Sequence, residues 1–170
     1  MENKVIKTIK ARASTRKYLD KKVPLKKLEA VLEAGKYAPS AMNRQICSIL
    51  AIRKGSLVKK FHELAKEVAN RECYYGASTL ILVYGPRGDR FTPVDGACML
   101  ENMFIAAESL GLGSCWINQT DDLFNTPQGA KLRKKIGLSE EDQVVGTCIL
   151  GYRDGEAQGK PRREDLVKIL

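Results

Sequence analysis

At 170 residues, with 44% hydrophobic and 29% charged residues, the chain has the size and balance of one soluble folded domain spanning 1–170. It has no apolar run near the roughly 20 residues of a membrane span; its five scattered cysteines without a Cys-x-x-Cys pair and its lone histidine, His62, exclude a zinc-finger site and a disulfide framework. The net charge of +9 is concentrated in residues 1–27, where ten Lys/Arg face only Glu2 and Asp20, and this cluster lacks the interleaved aromatics of a single-strand nucleic-acid binder.

In chain order, Val5, Ile6 and Ile9 predict a short amphipathic helix ending near Arg12. Pro24 opens a second helix with Leu25, Leu28, Val31 and Leu32 on one face and Gly35 as its stop. A polar loop over 39–45 leads into a strand, Ser48–Ile52. Ser56 is placed to cap the next helix, whose apolar positions are Leu57, Phe61, Leu64, Ala65 and Val68. The unbroken apolar run Thr79–Tyr84, closed by Gly85-Pro86, predicts a strand buried on both faces.

Residues 94–110 form the longest helical segment, with apolar side chains all round its axis, which predicts a fully packed central helix partly covered by a second subunit. Gly111-Leu-Gly113 ends it and Ser114–Ile117 follows as a short strand. Thr126-Pro127 is an N-cap with proline at the first helical position, and that helix closes at Gly137. Gln143–Leu150 reads as a further strand, and 151–170 is polar until Leu166–Leu170. Alternating helices and strands without a long linker predict one α/β or α+β domain.

Three polar clusters stand out. Arg12-Ala-Ser14-Thr-Arg16 and Lys160-Pro-Arg162-Arg163 are basic and lie at opposite ends of the chain, as a phosphate held by distant segments requires. Between them, Ser40, Asn43 and Gln45 offer the donors and acceptors of a polar heterocycle. Taken singly, each has a plainer reading: solvated arginines at a helix end, turn residues in a loop, a basic tail. Gly111-Leu-Gly113 follows a helix rather than a strand and so reads as a helix end, not a dinucleotide turn.

Their order is more specific than their content. Arg12-Ala-Ser14-Thr-Arg16-Lys-Tyr18, Ala38-Pro-Ser40-Ala-Met-Asn43-Arg-Gln45, the stretch Asp95 to Trp116 ending Gly-Leu-Gly-Ser-Cys-Trp, Gly151-Tyr152 and Lys160-Pro-Arg162-Arg163 together resemble the nitroreductase family of flavoproteins. The resemblance runs from about Ile6 to the C-terminus. It implies an α+β fold with a mixed central sheet flanked by helices, an intertwined homodimer, and FMN at each subunit interface. By position, Arg12, Ser14 and Arg16 match the segment that binds the FMN phosphate and ribityl chain, and Lys160 and Arg162 match the pair that completes the phosphate site. Ser40, Asn43 and Gln45 match a loop that contacts the flavin, often from the partner subunit. Cys115, Trp116 and Ile117 match a strand whose backbone lies along the flavin ring.

The resemblance further implies an NAD(P)H-dependent FMN oxidoreductase that passes hydride by a ping-pong cycle to an electron-poor acceptor such as a nitroaromatic or a quinone. The flavin carries that chemistry, so no protein catalytic residue, metal, nucleic acid or membrane is expected, and the expected location is cytoplasmic. A flavin-binding sensor or carrier without turnover is the alternative. The chain departs from the family where Ile46-Cys47 follows the glutamine in place of Pro-Trp, and where Trp116-Ile-Asn118-Gln119 replaces a Pro-x-Glu-Gly-like loop. The resemblance therefore assigns no particular acceptor.

Overall fold

A computed structural model describes residues 2–157 and 159–170. In chain order its elements are α1 (Lys4–Ala11), α2 (Leu25–Lys36), β1 (Ser48–Ile52), α3 (Gly55–Ala69), β2 (Thr79–Pro86), α4 (Thr92–Ser109), β3 (Gly113–Ile117), α5 (Thr120–Phe124), α6 (Pro127–Lys135) and β4 (Asp142–Gly151). The four strands form one sheet in the order β1-β2-β4-β3. The fold is α+β, as the sequence implies, but every strand pairing is antiparallel. The chain does make a crossover, β2–α4–β3, whose two strands run the same way. β4 returns between them and pairs antiparallel with both, so the parallel contact is confined to an isolated bridge between Ser14 and Ser114.

Both faces of the sheet are covered, which is why β2 reads as a continuous apolar run. Leu80 and Leu82 enter one core with Phe61, Tyr74 and Phe124, under α3, α5 and α6. The alternate residues Ile81 and Val83 enter a second core with Val31, Leu100 and Met103, under α2 and α4. β4 divides in the same way, Ile149 to the first core and Cys148 and Leu150 to the second. This period of two, applied to an all-apolar strand, needs helices on both sides.

Local chemistry sets the helix ends. Asn3 caps α1 by accepting the Ile6 N–H at 3.0 Å, and Thr126 caps α6 by accepting the Gly129 N–H at 3.1 Å. Ser56, by contrast, lies inside α3, one residue past its start, and Lys54 flanks the helix instead. Gly35 does not stop α2. The helix continues to Lys36, and a Cβ at Gly35 would lie 2.9 Å from the Met103 Cγ, so glycine here lets α2 and α4 approach. α5 was not anticipated, because five residues are too few to show a helical period.

α4 is less completely covered within one chain than its composition predicts. Leu100, Met103, Phe104 and Ala107 are buried, whereas Val94 is 59% exposed and Ala97, Cys98 and Ile105 are only partly covered. The apolar residues of α1, Val5, Ile6 and Ile9, are also exposed. His62 is partly buried and held at both ring nitrogens. Its Nδ1 lies 2.8 Å from the Glu72 Oε1 and its Nε2 lies 3.2 Å from the Ala77 carbonyl, which fastens the α3–β2 connection. Among the described residues no helix is long and apolar enough to cross a membrane.

The tightest joint is between α5 and α6. A Cβ at Gly129 would lie 1.8 Å from the Leu123 carbonyl oxygen, a backbone atom that cannot swing aside. Gly129→Ala is expected to destabilise the fold by about 3 kcal/mol, read as a fall of roughly 6–12 °C in melting temperature by calorimetry.

Candidate functional site

The segment after α1 runs extended beside β3. The Thr15 N–H donates to the Ser114 carbonyl at 2.9 Å, and Ser14 bridges Ser114. Alternation then sorts the side chains: Ala13 and Thr15 are buried, while Arg12, Ser14 and Arg16 are more open. The close approach requires a small residue opposite, since a Cβ at Gly113 would sit 2.6 Å from the Thr15 Oγ1. Arg153 fixes the arrangement from behind. Its Nε–H donates to the Thr15 Oγ1 at 3.2 Å, and its Nη2 donates to the Leu112 carbonyl at 3.1 Å and to the Glu108 carboxylate.

Arg12, Ser14, Cys115 and Trp116 line one pocket of about 200 Å³, joined by Glu101 and Phe104 from α4. The Arg12 Nε lies 3.9 Å from the Glu101 Oε1, a loose ion pair that leaves guanidinium N–H groups for another acceptor. Trp116 is 37% exposed and leans on Phe104 with ring centroids 6.2 Å apart, presenting a flat apolar wall. The pocket therefore sets a guanidinium and a hydroxyl beside an aromatic surface, an arrangement suited to an anionic group attached to a planar ring.

Ser40 and Gln45 line a second pocket, of about 180 Å³, with Lys36, Cys47, Asp95 and Met99. Its loop holds three residues in left-handed conformation, Met42 (φ 53°), Asn43 (φ 53°) and Gln45 (φ 50°). Outside glycine and asparagine this costs on the order of 1–2 kcal/mol per residue, so the loop needs restraint. The Ala41 N–H donates to the Asp95 Oδ1 at 3.1 Å, the Gln45 N–H donates to the Ser40 Oγ at 3.1 Å, and the Gln45 Nε2 donates to the Asn43 Oδ1 at 3.1 Å. Arg44 pairs with Asp89, whose carboxyl is held below its ordinary range by the Phe91 N–H and then by Arg44. The Asp95 Oδ2 is buried and, among the described residues, is the one buried side-chain polar atom without a hydrogen-bond partner.

The structure therefore brings Arg12, Ser14, Cys115 and Trp116 together at one pocket, and Ser40 and Gln45 together at another. Arg16 is exposed on the same segment, and Asn43 acts within its loop. The Ile117 side chain is buried in the first core, so only its backbone is open to a site role. Lys160 and Arg162 are exposed in the C-terminal segment and line neither pocket. Asp95, Glu101 and Phe104 were not singled out as site residues. The available signal was three acids, Asp95, Glu101 and Glu108, within a largely apolar helix.

The architecture defines the class first: an antiparallel four-stranded sheet between helical layers, with a cationic extended segment at the β3 edge. A nitroreductase from Bacteroides fragilis, solved with bound FMN, superposes with a TM-score of 0.91 at 33% identity, covering 99% of this chain and 100% of that one. A second FMN-bound nitroreductase, from Desulfitobacterium hafniense, shares the fold with a TM-score of 0.89 at 22% identity, with 100% of both chains covered. An NADPH-flavin oxidoreductase of Vibrio harveyi is 29% identical over 94% of this chain and 70% of its own length. The nitroreductase family profile matches residues 9–72 and 59–152, and the chain belongs to that family.

Cys47 provides a test of the second pocket. Burial above all, with the Asp95 and Asp89 carboxylates adding to it, pushes its thiol up to about 11. The reactive thiolate is therefore scarce at neutral pH. Alkylation of Cys47 by iodoacetamide at pH 8, followed by peptide mass spectrometry, should run about a hundredfold slower than that of a free cysteine and accelerate as pH rises toward 11.

Proposed function

We propose that this chain, over residues 1–170, is a cytoplasmic FMN-binding unit. In this reading it is an NAD(P)H-dependent oxidoreductase that passes hydride to an electron-poor acceptor, such as a nitroaromatic or a quinone, in a ping-pong cycle. The observation that carries the reading is the extended Arg12–Arg16 segment beside the Trp116 wall, in a chain matched end to end by an FMN-bound relative at 33% identity.

The residues present suit the cofactor. Arg12 and Arg16 would neutralise the phosphate, with the Ser14 hydroxyl donating a further hydrogen bond; Lys160 and Arg162 would complete that site from the C-terminal segment. The backbone of Cys115, Trp116 and Ile117 would flank the ring, and Ser40, Asn43 and Gln45 would supply polar contacts from the partner subunit. The unpartnered Asp95 oxygen and the restrained loop strain fit a pocket completed by something the single chain does not contain. When bound, FMN supplies the hydride-accepting and hydride-donating centre, so the protein's task is to bind, orient and exclude water.

A homodimer is part of the proposal. Val5, Ile6, Ile9 and Val94 are exposed, as are Leu166, Val167, Ile169 and Leu170 of the C-terminal segment, and a second copy would cover them. All five cysteines are unpaired, which suits a reducing compartment.

The test is the visible spectrum after FMN loading and desalting, followed by anaerobic NADH or NADPH. Retained flavin that bleaches is the expected result; retained flavin that stays oxidised favours the sensor or carrier, and a colourless protein overturns FMN binding. Arg12→Ala should weaken FMN binding about ten- to a hundredfold in a fluorescence titration, because a charged hydrogen bond is worth about 1.5–3 kcal/mol. Sedimentation of the loaded protein should give a dimer, and a flavin-loaded monomer would refute the shared site.

A further inference from the structure

A cavity of about 780 Å³ opens between α5, α6 and the turn that follows β2, and it shares no lining residue with the two pockets described above. Phe124 and Leu138, both buried, give it an apolar interior; Lys131 and Lys134 are exposed at its mouth; Arg87 and Arg133 complete the cationic lining. Its volume lies within the range of small-molecule sites, roughly 300–1,000 Å³.

Arg133 is the decisive residue. It is only 5% exposed, yet among the described residues it has no carboxylate within ion-pair distance. Its guanidinium donates to carbonyl oxygens of the 139–142 turn, with the Nε 2.9 Å from the Ser139 oxygen and Nη2 bonded to Ser139 and Asp142. These bonds satisfy N–H groups and leave the guanidinium without a directly paired carboxylate. The partly buried arginines differ: Arg153 pairs with Glu108 and Arg12 lies 3.9 Å from Glu101, and even the exposed Arg44 and Arg87 pair with Asp89 and Asp121. A buried cation without a counter-charge is the costly case, and here it lines an open cavity flanked by two further cations.

We propose that this cavity is a second ligand site, separate from the flavin reading, for a small anion carried on an apolar or aromatic body. Arg133, Lys131 and Lys134 hold the anionic end, and the Phe124–Leu138 interior takes the body. Arg87 is already neutralised by a forked contact with Asp121 at 3.1–3.2 Å and contributes shape more than charge. Glu140, the one acid on the lining, works against polyanions and favours a ligand with a single anionic end.

Adenosine 5′-monophosphate is a suitable probe, with adenosine as its uncharged control, titrated calorimetrically into FMN-loaded protein desalted to remove free flavin. One saturable site per chain is expected, with adenosine at least about tenfold weaker. Lys131→Ala/Lys134→Ala should weaken the nucleotide about tenfold or more while the flavin spectrum and NADPH oxidation stay unchanged. Arg133→Met should do the same, and the lysine pair keeps the test open if that variant fails to fold. Absence of saturable binding at millimolar concentration, equal affinity in the double lysine variant, or loss of binding in Arg12→Ala would each overturn the proposal. The last result would put the nucleotide in the Arg12 pocket.

Discussion

Two-sided burial of β2 and β4 is the constraint from which the rest of the molecule follows. Residues 80–83 and 148–150 are inaccessible on both faces, so the centre of the sheet holds no charged group. Charged groups are displaced to its margins: the β3 edge, the loop ahead of β1, and the helix ends. Both candidate pockets and the third cavity lie at such margins.

At the β3 edge, one guanidinium connects three parts of the chain. Arg153 touches the Glu108 carboxylate near the end of α4, the carbonyl of Leu112 in the α4–β3 connection, and the hydroxyl of Thr15. The position of Arg12 and Ser14 is therefore set by the strand beside them and by a residue 138 positions away from Thr15. The loop ahead of β1 is held in a comparable manner, from α4 through Asp95 to the Ala41 N–H and from the β2–α4 turn through the Asp89–Arg44 pair. The long central helix thus braces both pockets.

Features decided by local chemistry were legible in the sequence: the apolar run of β2, the Thr126-Pro127 start of α6, the amphipathic α1. Those decided by tertiary contact were not. Gly35 reads as a helix stop until Met103 is seen against it, and β4's insertion between β2 and β3 leaves no local trace. At the site, the order of the Arg12, Ser40 and Cys115 segments carried the resemblance, but no spacing indicated that Arg12 shares a pocket with Trp116 and Ser40 one with Asp95. An acid in the first turn of an apolar helix suits the helix dipole, which hid the role of Asp95. The cationic cavity at Arg133 was equally hidden, because its lysines resemble any solvated helix face.

The crowding of positive charge at the start of the chain has a kinetic consequence. Lys4, Lys7, Lys10, Lys17, Lys21 and Lys22 are exposed on either side of Arg12 in sequence, and of these Lys10 pairs with Glu2 and Lys17 with Asp154, which leaves a local excess of positive charge. Their summed potential reaches into solvent over about one Debye length, roughly 8 Å at physiological ionic strength. An anion drifting toward that edge is drawn in before any hydrogen bond forms, so capture is quick in dilute buffer and slows as salt is added. In the proposed function, the lysines of α1 would set how often an anionic ligand arrives, and the more enclosed Arg12 would set how long it stays.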